Sequence, residues 1–186
     1  IRAKENGIGN FWADITRTLL YILIPLSIVV SVVLVSQGVV QNFKPYETVS
    51  LLEPITLDDG TVVTEEVVPL GPAASQVAIK QLGTNGGGFF GANSAHPLEN
   101  PNALSNLFEM ISILLIPAAL CFTFGRNVKD KKQGIALFLA MGIMLVATLG
   151  IIGVNEQNAT PQLAMNGQVD LSAVDQAGGN MEGKES

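Results

Sequence analysis

Three apolar runs constrain this chain more than any other feature. Crossing a hydrocarbon layer about 30 Å thick takes about 20 helical residues, and 18–40, 103–124 and 134–154 each meet that length with almost no charge inside. The first, TLLYILIPLSIVVSVVLVSQGVV, carries Pro25, which a buried helix accepts when neighbours satisfy the freed carbonyl. Asn102, after Pro101, is the expected N-cap of the second and Gly125 its expected stop. The third is rich in small residues (Gly134, Ala136, Ala140, Gly142, Ala147, Gly150, Gly153), which let backbones approach in lipid. Charged residues make up only 14% of the chain, against about a quarter in soluble domains. The net charge of −6 suits no phosphate backbone, which excludes nucleic acid as the expected partner. The single cysteine, Cys121, lies in an apolar run and reads as buried filler.

Basic residues orient these runs, because short loops rich in Lys and Arg stay cytoplasmic. Arg2, Lys4 and Arg17 precede the first run, and Arg126, Lys129, Lys131 and Lys132 fill the turn between the second and third. The acidic residues Glu47, Glu53, Asp58, Asp59, Glu65 and Glu66 lie on the opposite side. Three crossings then place the N-terminus in the cytoplasm and the C-terminus outside. The expected organisation is a cytoplasmic interfacial segment (1–16) with Phe11 and Trp12 at the interface, a transmembrane helix (17–40), and an external loop (41–71). In that loop Asp59-Gly60, between β-branched runs, predicts a hairpin. A short helix (72–82), a glycine-rich loop (83–91), an external loop (92–101), a transmembrane helix (102–124), a basic cytoplasmic loop (125–133), a transmembrane helix (134–154) and an external polar tail (155–186) complete it. The fold class is all-α and polytopic, with the lipid bilayer as solvent. Ile1 is not a methionine and no signal peptide follows, so the chain reads as a piece of something longer.

The chemistry is expected between Gly71 and Pro101. ASQVAIKQL is too short to span and reads as a re-entrant helix. It runs into Gly83-Thr84-Asn85-Gly86-Gly87-Gly88, where bare backbone can lie against a ligand. Such irregular backbone is tolerated at membrane depth only where protein buries it or it lines a wet cavity. A helix C-terminus followed by a row of carbonyls suits a dehydrated monovalent cation. The Thr84 hydroxyl and Asn85 amide oxygen can add ligands or brace the loop, and Phe89 and Phe90 can wedge it. The order span, short helix, glycine loop, span is that of a potassium-channel-like pore unit. The glycines match neither a phosphate loop nor a dinucleotide fingerprint, although a plain external loop would also use them for turns. Glu109 lies inside the second span, where an ionisable group is costly. It is read as the buried partner of Lys80, with a protonated or water-facing group and an ion-path role as alternatives. His96 reads as a hydrogen-bonding loop residue.

The stretch LGTNGGGFFGANSAHPLENPNALSNLFEMISILLIPAALCFTFGR resembles the second pore repeat of the potassium-binding, channel-like subunit of Kdp-type potassium-transporting ATPases. The TNGGGFF and HPLENPNALSN strings are the specific part. The resemblance implies one of four filter loops in a bacterial plasma-membrane protein. Thr84, Asn85, Gly86 and Gly87 would line the filter for potassium, with Gly83, Gly88 and Phe89 supporting its backbone. It implies a P-type catalytic subunit and small accessory membrane subunits as partners, and no ATP hydrolysis in this chain, which shows no phosphorylated-aspartate motif. The rival readings are an ATP-independent potassium channel or ion-coupled transporter, and a membrane scaffold whose glycine loop coordinates nothing.

Overall fold

The computed structural model describes residues 9–57, 60–84, 87–91 and 93–157. Arg2 and Lys4, Asp58 and Asp59 of the hairpin turn, Asn85 and Gly86 of the glycine run, and the polar tail from 158 onward lie outside the described residues. The fold is mostly helical. Helix α1 (Phe11–Thr18) passes through a π-helical turn (Leu19–Leu23) into α2 (Ile24–Ser36). Strands β1 (Tyr46–Thr56) and β2 (Val62–Pro69), then α3 (Ala73–Leu82), α4 (Ala103–Asn127) and α5 (Lys131–Gln157), follow in order. The continuous helix Phe11–Ser36, α4, and Lys131–Glu156 of α5 are each long and apolar enough to cross a membrane. Their large apolar side chains, among them Val29, Val32, Ile143, Val146 and Leu149, are exposed, as expected of surfaces whose solvent is lipid. Contacts divide the chain into two units that meet within α4, between Ser112 and Ile113.

In the first unit, Asn10 caps α1 by accepting from the Trp12 and Ala13 amides at 3.1 and 3.3 Å. The π-helical turn has a local cause. Pro25 offers no N–H and its ring crowds the carbonyl four residues back, so the preceding turn widens and the Ile24 amide donates to the Leu19 carbonyl instead. The hairpin is antiparallel, with Tyr46 opposite Pro69 and Ser50 opposite Glu65, and its register shifts between Ser50 and Ile55. Leu57 and Thr61 close its turn at 2.9 Å.

The core of this unit lies between α2 and α3, where Leu34, Val39, Ala73, Ala74, Val77 and Ala78 are buried and Phe90 packs against them. Short side chains along α3 let it lie close to α2. Its N-terminus is capped from a distance, since Gln41 accepts from the Ser75 amide at 3.0 Å and donates to the Ser75 hydroxyl at 3.3 Å. Asn102 caps α4 as expected, accepting from the Leu104 and Ser105 amides at 2.9 Å, and its own amide donates to the Gln37 carbonyl at the end of α2.

In the second unit α4 and α5 form a helical hairpin. Gly125 does not end α4, contrary to the sequence expectation. The helix runs to Asn127, and the chain turns at Lys129, whose φ is 59°. Gly125 is used for close approach instead, because a Cβ there would lie 3.0 Å from the Gly134 Cα. Of the small residues in α5, Gly134 meets α4 in this way. Gly142, Gly150 and Gly153 have nothing within 4 Å of where a Cβ would stand.

Candidate functional site

The site is built around the C-terminal end of α3. Gly83 ends the helix with its amide bound to the Ile79 carbonyl at 3.0 Å, and Thr84 follows at φ 61°, a left-handed conformation uncommon for a residue with a branched Cβ. Its hydroxyl donates to the Gly83 carbonyl at 2.7 Å, so it braces the loop. Gly87 has a φ of 97°, and Gly83, Thr84, Gly87 and Gly88 are all exposed. Where the loop returns to the protein, Ser94 is again left-handed at φ 54° and is buried. Non-glycine residues in this region persist where surrounding contacts over-determine them.

Those contacts come from a buried polar cluster behind the loop. Lys80, Gln81, Ser94, Glu99 and Glu109 are all at most 5% exposed. The expected Lys80–Glu109 pair is replaced by a different arrangement. The Lys80 ammonium donates to Glu99 Oε2 at 3.1 Å and to the Ser94 hydroxyl, whereas Glu109 accepts from the Gln81 side chain at 2.6 Å. The second Glu109 oxygen, Oε1, has no hydrogen-bond partner among the described residues. Gln81 also donates to Ser94 at 3.2 Å. Lys80 turns to Glu99 because the 93–100 segment folds back over α3 and brings a carboxylate to it, a contact between residues 19 apart in sequence.

Glu99 also reaches the loop. Its Oε1 accepts from the Phe89 amide at 2.5 Å and from the Phe90 amide at 2.6 Å. The two phenyl rings meet edge to face at 4.9 Å, and Phe90 stacks toward His96 at 5.1 Å. His96 accepts from the Leu98 amide at 3.2 Å, in line with a loop-bracing role. Phe89 lies over Gly71, where an added Cβ would come within 2.5 Å of the ring.

Burial alone would push the Glu99 carboxyl up. The Phe90 amide, the hydrogen bond and charge of Lys80 and the Ser94 hydroxyl outweigh it and leave the group below its ordinary value. A depressed native value means that Glu99 adds stability fully above the ordinary carboxylate range, and that this contribution is lost as pH falls through the lower native value. The full-length protein is therefore expected to lose thermal stability on acidification below that range, and Glu99→Gln is expected to remove that component. An unchanged acid profile in the variant would refute the role.

Sequence reasoning singled out Lys80, Glu109 and the loop residues but missed Gln81, Ser94 and Glu99. The one signal for Glu99 was a charged residue within a short segment between two prolines, Pro97 and Pro101.

The KdpA family, described as the potassium-transporting ATPase A subunit, matches residues 1–186. A curated relative from Clostridium botulinum, named potassium-transporting ATPase potassium-binding subunit, is 82% identical over 186 residues, covering 100% of this chain and 32% of that protein. Proteins of the same name from Clostridium perfringens and Desulfovibrio desulfuricans are 72% identical over 185 residues and 57% identical over 184 residues. They cover 100% and 97% of this chain, and 32% of each relative. The chain thus spans about a third of the length of the curated relatives it matches. Matched from its first residue to its last, and carrying three membrane-capable helices, the chain belongs to the potassium-transporting ATPase A subunit family.

Proposed function

We propose that this chain contributes one of four filter loops to a subunit that binds and translocates potassium within an ATP-driven uptake complex. The observation that carries this reading is the short buried helix α3, which lies in sequence between two membrane-capable helices and ends at Gly83-Thr84 against the glycine run. On this reading 72–82 is the re-entrant pore helix and 83–91 the filter loop, lined by Thr84, Asn85, Gly86 and Gly87. Gly83, Gly88 and Phe89 support the backbone. Potassium is the cargo, coordinated mainly by carbonyl oxygens. The asymmetry of basic residues supports a cytoplasmic N-terminus and an external C-terminus in a bacterial plasma membrane.

The relatives' names favour an ATPase complex over an ATP-independent channel or transporter, and the partners proposed, as the resemblance of the glycine-rich stretch implies, are a P-type catalytic subunit and small accessory membrane subunits. Potassium-stimulated ATP hydrolysis that requires the partner subunit separates the two. The test of the loop is potassium uptake, with rubidium as competitor, in cells that depend on the full-length protein. Gly86→Ser at matched membrane abundance is expected to raise the apparent KM about tenfold or more and to weaken rubidium discrimination, as a loss of about 1.4 kcal/mol of ion binding would. Unchanged affinity and discrimination would leave the scaffold reading, in which the glycines serve only turns.

A further inference from the structure

We propose that Glu99, neutralised by Lys80, is a positioning residue that orients the carbonyls at the exit of the glycine run, so that ion discrimination depends on this buried carboxylate. The inference rests on the filter reading above.

Through its carboxylate, Glu99 ties its own segment to α3 and to the loop at Phe89 and Phe90. Oε2 is held by Lys80 from α3 at 3.1 Å, Oε1 takes the Phe89 and Phe90 amides of the loop at 2.5 and 2.6 Å, and the Glu99 amide is itself fixed to the His96 carbonyl at 2.9 Å. Glu99 is fully buried, so water does not compete for these bonds. Two successive N–H groups converge on one oxygen. In a planar trans peptide the carbonyl points opposite to the N–H, and no cis peptide occurs among the described residues. Drawing back the Phe89 and Phe90 amides therefore turns the Gly88 and Phe89 carbonyls to the side away from Glu99. The carboxylate thus orients backbone oxygens without touching an ion.

Charge makes the anchor directional. An ionised carboxylate is an acceptor at both oxygens, and bonds to it are stronger than those between neutral groups. Lys80 holds the carboxylate in place through a second pair of contacts, to Glu99 and Ser94. A glutamine at position 99 offers one oxygen and one NH2 to three donors, the two amides and the ammonium, so at least one loses its partner.

The test compares Glu99→Gln and Gly86→Ser in the full-length protein within its complex, by potassium uptake with rubidium competition at matched membrane abundance. Glu99→Gln is expected to raise the apparent KM about tenfold, the equivalent of one charge-assisted hydrogen bond. It is also expected to weaken rubidium discrimination several-fold, with a smaller change in maximal rate. If Gly86→Ser alters discrimination while Glu99→Gln does not, Glu99 is only a fold contact, and the inference fails while the filter reading stands. If neither alters it, the filter reading fails and takes the inference with it. Should Glu99→Gln not accumulate in the membrane, Glu99→Asp keeps the charge but withdraws the oxygens by one methylene. The same shift in discrimination is then expected, and its absence overturns the proposal.

Discussion

Lys80→Met is expected to destabilise the full-length protein by about 3–5 kcal/mol, the usual cost of removing one partner from a buried ion pair. The side chains of Lys80 and Glu99 are 1% and 0% exposed, so the carboxylate left behind cannot recruit water. Methionine retains much of the lysine stem's packing, which isolates the loss of the ammonium. The Phe89 and Phe90 amides remain as donors, but they satisfy only Oε1. Adding Glu99→Gln removes the stranded charge, and the double variant is expected to be more stable than Lys80→Met alone. This non-additivity is the signature of a direct interaction. Thermal unfolding of the purified protein, alongside its abundance in the membrane, measures both. A Lys80→Met protein within 1 kcal/mol of wild type would show that the pair contributes nothing.

The second large effect is expected at the turn between α4 and α5. A Cβ on Gly134 would stand 2.7 Å from the Cys121 carbonyl oxygen and 3.0 Å from the Gly125 Cα. Both obstacles are backbone, so no side chain can rotate away. Gly134→Ala is expected to cost about 1–3 kcal/mol by forcing the helices apart, and Gly134→Val more, since overpacking costs grow with the volume inserted. Thermal unfolding again reads the loss. A cross-link between cysteines introduced on facing positions of the two helices would slow in the same variants. Unchanged stability and cross-linking would mean that the helices do not meet at this pair of glycines.

What could be read from residues alone was whatever depends on neighbours in sequence. Membrane-capable helices follow from the length of an apolar run, a property of the run itself, and all three of the expected helices are present. The hairpin followed from turn chemistry between β-branched residues, and the α4 cap from Asn102 beside Pro101. The π-helical turn before Pro25 was not foreseen, although its cause is local. It is one of several ways to relieve the same clash, and sequence does not choose among them.

The polar cluster shows the opposite limit. Lys80 and Glu109 were recognisable as buried charges because isolated ionisable residues stand out against apolar or small neighbours. Their partners were not, because pairing depends on where the chain from 93 to 100 folds back. That path is decided jointly by the left-handed turn at Ser94, the packing of Phe90 against the α2–α3 core, and the Asn102 bond to the end of α2. The small residues of the last two helices divide in the same way. Composition marked Gly125 and Gly134 as sites of conformational freedom or close approach, and only the crossing of α4 and α5 assigned both to close approach. Length and apolar runs along the chain were enough to place the membrane-capable helices, and a short helix ahead of a glycine-rich stretch, because those features are local in sequence. Which carboxylate holds Phe89 and Phe90 could be known only once the chain was packed, because a contact across 19 residues depends on the free energy of the whole packed unit rather than on any local pattern.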